Sequence, residues 1–142
     1  VRGYEDALAK LPKDQEPTAQ RLRLELNKAR MQAKGLSTAR EELESLVDEL
    51  ATDQKADPQL LAESRQALAR AQFFTTWLMR LEGVSREEWE PEIEAARQNW
   101  RLLAEQATTP EQKEQSGKDL EAAIRLARIE IEYLQGLPLP SE

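Results

Sequence analysis

The chain has 142 residues and a formal net charge of −7, and it contains neither His nor Cys. Those two absences exclude imidazole and thiolate catalysis, zinc sites of the usual Cys/His kinds, haem held by either ligand, and any disulfide. A composition 33% charged and only 5% aromatic, with 5 glycines, is that of helices with solvated faces, and the acidity argues against a binder of phosphate backbones, so nucleic acid is not an expected partner.

Proline and glycine divide the chain into six expected helical segments. The first precedes Pro12. The second carries Ala19, Leu22, Leu26, Ala29, Ala33 and Leu36 on one face, and the third, after Gly35, carries Ala39, Leu43, Leu46 and Leu50. The fourth starts at Pro58 with Asp57 as its oxygen cap. Leu60, Ala67, Ala71, Phe74, Leu78 and Leu81 form one face, and Leu68, Phe73, Trp77 and Met79 widen the apolar arc beyond what one neighbouring helix covers.

Gly83 closes that segment. The fifth holds Trp89, Ile93, Ala96, Trp100, Leu103 and Ala107 in register, with Pro91 predicting either a separate first turn or a kink. Thr109 and Pro110 open the sixth, in which Leu120, Ile124, Ala127, Ile131 and Leu134 keep one rhythm to the end. Thr38 with Glu41, and Ser85 with Glu88, have capping-box spacing. Nothing alternates with a period of two. The expected fold is all-α, made of antiparallel helix-turn-helix pairs, with a plain antiparallel bundle as the alternative.

A local pattern recurs, Ala followed four residues later by a large apolar residue: Ala7 to Leu11, Ala39 to Leu43, Ala96 to Trp100. With Tyr4-Glu-Asp-Ala7-Leu8, and with Gly35 and Gly83 at the turns, it resembles the tetratricopeptide repeat family. Ala29–Leu46 is similar to one degenerate repeat and Leu68–Leu103 to a second, stretched one. The family's aromatic-Leu-Gly signature is missing. The resemblance implies one helical-repeat domain, with repeat-like pairs over residues 1–107 and a capping helix and tail over 108–142. It implies a non-catalytic scaffold or adaptor module for protein–protein interaction; the alternatives are a structural helical spacer or dimerisation bundle and, further off, a carboxylate-based ion-binding or enzymatic domain. A chain that begins at Val1 and ends on Leu137-Pro-Leu-Pro-Ser-Glu142 is expected to be a piece of a longer protein.

Candidate sites follow from charge and aromatic placement. Arg21, Arg23, Lys28, Arg30 and Lys34 stand against Glu25 alone, whereas Ser37–Ser64 sets Arg40 and Lys55 against eight acids. Arg23, Asn27, Arg30 and Lys34 share one helix face, and the resemblance implies that such a face grips an acidic C-terminal peptide; the alternative is a solvated face paired with the acidic neighbouring helix. Phe74, Trp89 and Trp100 are expected in the core, and Phe73 and Trp77, four apart, on a surface that meets a partner or a second copy. Glu87, Glu88, Glu90, Glu92 and Glu94 are read as helix-start acids facing solvent, and Glu130 and Glu132 as a solvated flank. No catalytic residue, metal site or cofactor is expected. No apolar run reaches the roughly 18 residues that a bilayer span requires, so no membrane insertion is expected. The residues do not identify a compartment.

Overall fold

The computed structural model describes residues 16–32 and 35–138, excepting the side chains of residues 16 and 29–32. The expected first segment, with Tyr4, Ala7, Leu8 and Leu11, lies outside the described residues. Those described form helices α1 (Glu16–Gln32), α2 (Leu36–Thr52), α3 (Pro58–Leu81), α4 (Arg86–Gln106), α5 (Pro110–Arg128) and α6 (Ile131–Gln135), with no strand among them. The fold class is all-α, and no described helix is long and apolar enough to cross a membrane. The chain forms two compact units, Val1–Ala71 and Gln72–Glu142, divided within α3.

In the first unit, α1 and α2 form a hairpin across Gly35. Arg23, midway along α1, pairs with Glu49, late in α2. Leu24, Leu43, Leu46, Val47, Leu50, Leu60, Ala67, Leu68 and Ala71 form one hydrophobic cluster. The spacing of Ala39, Leu43, Leu46 and Leu50 accounts for the buried face of α2, where each fully buried Leu contributes about 1.5–3 kcal/mol.

The face of α1 is rotated from the expected one: Leu26 is buried as expected, but Leu24 is buried as well and Leu22 only half-buried, while Gln20 and Asn27 go inside. Apolar spacing alone misplaced that face because two amide side chains enter the interior. Asn27 Nδ2 donates to the Arg23 carbonyl one turn back, at 2.9 Å.

The second unit is built on the end of α3, then α4, α5 and α6. As residue numbers fall along α3 they rise along α4: the Arg80 guanidinium lies over Trp89, the Phe73 ring meets Trp100, and Asn99 bonds to Gln72. This is an antiparallel hairpin. Its turn requires Gly83, whose φ of 78° favours glycine; Val84 N–H donates to the Met79 carbonyl at 3.0 Å and Gly83 N–H to the Arg80 carbonyl at 3.1 Å, the two bonds of a Schellman stop. Trp89, Ile93, Ala96 and Trp100 are buried as their register predicts, whereas Leu103 and Ala107 are half-buried.

Helix starts follow the cap chemistry in part. The Asp57 carboxylate accepts from Gln59 N–H at 2.9 Å, and the Thr109 hydroxyl accepts from Gln112 N–H at 3.1 Å. Gln112 Oε1 reciprocates by accepting from Thr108 N–H. Thr38 does not cap: α2 starts at Leu36 with Gly35 before it, so Thr38 already lies inside the helix. Ser85 holds the cap position of α4 without a side-chain hydrogen bond, and α4 runs unbroken through Pro91. The sixth segment departs most from expectation. It ends at Arg128, Ile129 and Glu130 adopt extended backbone, and the short α6 follows.

Candidate functional site

The described part of the expected basic face of α1, Arg23 and Asn27, is engaged within its own unit. Arg23 Nη1 lies 2.7 Å from Glu49 Oε2, with the Arg23 side chain only 21% exposed. Arg21 pairs with Glu63 of α3, and Lys28 with Glu25. Asn27, at 1% exposure, is a core residue and does not stand on an open face. The side chain of Arg30 and the whole of Lys34 lie outside the described residues. Opposite charges on adjacent helices therefore meet as intramolecular ion pairs, each of which contributes little in water.

The aromatic residues gather in the second unit. The Phe73 ring centroid lies 6.2 Å from that of Phe74, 5.9 Å from that of Trp77 and 5.9 Å from that of Trp100, in edge-on or tilted arrangements that suit ring quadrupoles. Trp89 and Trp100 are buried, as expected. Phe74 is only half-buried, a correction to its expected core position, and Phe73 and Trp77 are half-buried beside it. Leu78 follows at 40% exposure. At about 100° per residue, Phe73, Trp77, Phe74 and Leu78 span an arc of about 140° on α3. Trp77 Nε1 is shielded from solvent and has no hydrogen-bond partner.

Opposite this ring set is a polar interior. Asn99 Nδ2 donates to Gln72 Oε1 at 3.0 Å and Thr76 Oγ1 to the Gln72 carbonyl at 2.8 Å, all three residues being buried. The Thr76 bond lies within α3, whereas the bond from Asn99 to Gln72 links α3 to α4.

Sequence reasoning did not single out one side chain with several partners. Arg80, in the last turn of α3, places Nη1 2.8 Å from the Leu126 carbonyl and 2.7 Å from the Ile129 carbonyl, at the end of α5. Its guanidinium carbon is 4.7 Å from the centroid of Trp89, and Arg86 approaches the same ring at 5.5 Å. Burial, then the Arg86 charge, lower the Arg80 pKa from the ordinary arginine value, and Glu130 acts the other way. A basic residue in a last turn ordinarily serves its own helix end, so nothing in the spacing pointed to α5.

The carboxylates are dispersed. Glu87, Glu88 and Glu90 are exposed, Glu92 and Glu94 half-buried, and Glu130 and Glu132 exposed. Glu90 pairs with Arg86 at 2.6 Å and Glu94 with Arg97. Among the described residues, no group of three or more acidic side chains is placed to hold a metal ion. No protein-family model, curated protein or solved structure matches the chain.

Proposed function

We propose that the chain is a non-catalytic protein–protein interaction module, with tetratricopeptide-like helix pairs, that receives an apolar helical segment of another polypeptide on the Phe73, Phe74, Trp77 and Leu78 arc of α3. The observation that supports this most directly is the exposure of Leu78 beside three rings that the second unit leaves half-buried. Apolar surface of this kind gains about 25 cal/mol for each Å² removed from water, and clustered aromatic rings make good anchors for a partner. The acidic-peptide version of the reading has less support, because Arg23 has an internal carboxylate and Asn27 is inside.

A photo-crosslinking amino acid at Leu78, in cells that make the protein, tests the proposal. A discrete adduct is expected, absent from a control with the crosslinker at the exposed Glu114, and lost when Phe73 and Trp77 are both replaced by Ala. An adduct of twice the chain mass would identify a second copy as the partner. Adducts at Leu78 that are unchanged by the double replacement, or no adduct at all, would overturn it.

A further inference from the structure

We infer that the segment from α5 to α6 is a two-state element which Arg80 holds in its broken form. The rhythm Leu120, Ile124, Ala127, Ile131 and Leu134 describes one amphipathic helix that passes straight through Ile129 and Glu130. The structure breaks it there: Ile129 has φ −65° and ψ 142°, Glu130 φ −68° and ψ 144°. A break leaves carbonyls without their usual amide partners.

Two of those exposed by this break, Leu126 and Ile129, are taken by one nitrogen of Arg80, a residue of another helix. The guanidinium itself lies against Trp89, so it is a preformed donor to the carbonyls of the broken helix end. In the continuous form the Leu126 carbonyl would bond to the Glu130 amide, and Arg80 would lose that acceptor.

The two forms present different surfaces. In the broken form Leu134 is buried at 1% exposure and Tyr133 projects at 72%. Straightening the break would move both side chains to the positions that an unbroken continuation of α5 dictates. A carboxylate or phosphate group of a partner is a stronger acceptor for Arg80 than a neutral carbonyl, and by engaging the guanidinium it would release the break.

The test is Arg80→Gln in the full chain, followed by the Cα chemical shifts of Ile129 and Glu130. The expected result is a move from extended to helical values, with the α4 signals native, and reversal of that move when Glu130→Pro is added, since proline cannot supply the amide that the continuous helix needs. Shifts that stay extended, or that collapse to unstructured values, would overturn the inference. Should Arg80→Gln fail to fold, Glu130→Ala provides the second arm. It removes a charge that favours the Arg80 cation and raises helix propensity at an exposed position, so a shift toward helical values is expected and none would refute the switch.

Discussion

Arg80 of α3 and Ile129 at the end of α5 are joined by a 2.7 Å hydrogen bond, 49 residues apart in the chain, and the same nitrogen also binds the Leu126 carbonyl. Charged donors to carbonyls and a cation held over an indole are among the stronger surface-proximal interactions. Arg80→Met keeps much of the stem and removes the donors, and a loss of about 2 kcal/mol in urea unfolding followed by circular dichroism is expected. Arg80→Lys, which retains one charged donor group without the planar fork, should lose less. Equal losses for the two variants would show that a charged donor without the fork recovers nothing.

Two glycines should respond to alanine with opposite signs. Gly83 has φ 78° with nothing within 4 Å of an added Cβ, so Gly83→Ala meets only the backbone penalty, a destabilisation of about 1–2 kcal/mol. Gly117 lies inside α5, also with nothing within 4 Å, and Gly117→Ala should stabilise by up to about 1 kcal/mol. Thermal unfolding of the two variants beside the parent decides both.

The Gln72 and Asn99 pair should be strongly coupled. Asn99→Leu leaves Gln72 Oε1 buried without that donor, and a loss of about 1–3 kcal/mol is expected. Gln72→Leu should be similarly damaging, while the double replacement exchanges two polar groups for two apolar ones and should recover part of the loss. A double-mutant cycle with no coupling energy would mean that the contact does not stabilise the α3–α4 pairing.

Stability should be nearly flat between about pH 6 and pH 8, because the chain has no His, the side chain whose ordinary pKa lies closest to that window. The lowered pKa values of Arg65 and Arg80 do not tilt it. Burial disfavours each cation in the fold, an effect that is constant wherever arginine is protonated in both states and that lifts only as pH rises through the folded value, far into the alkaline range. Urea midpoints at both ends of the window should therefore agree, and a clear slope would mean that some other group titrates on unfolding.

The helices were legible in the sequence because their punctuation has direct physical causes. Pro58 and Pro110 start helices where a missing amide hydrogen bond is harmless, Gly83 ends one where φ must be positive, and Leu43, Leu46, Trp89 and Ile93 bury by spacing alone. The legible part stops where tertiary partners decide. Leu24 and Asn27 displaced the expected face of α1 because an amide can enter a core once its donor reaches a backbone carbonyl. The break after α5 carries no local signal in Ile129 or Glu130, since the group that accompanies it arrives from Arg80. Of the candidate surface residues, Phe73 and Trp77 keep half-buried rings, whereas Arg23 and Asn27 are engaged internally, a difference set by Glu49 and by packing that spacing does not encode.

The distribution of tryptophan has a spectroscopic consequence. All 3 tryptophans, Trp77, Trp89 and Trp100, fall in the second unit, and the first contains none. Emission excited at the red edge of the indole band is thus a private signal of one half of the chain, while ellipticity sums over both. The lag or coincidence of the two traces during denaturation measures directly whether a helix running through both units makes them melt as one.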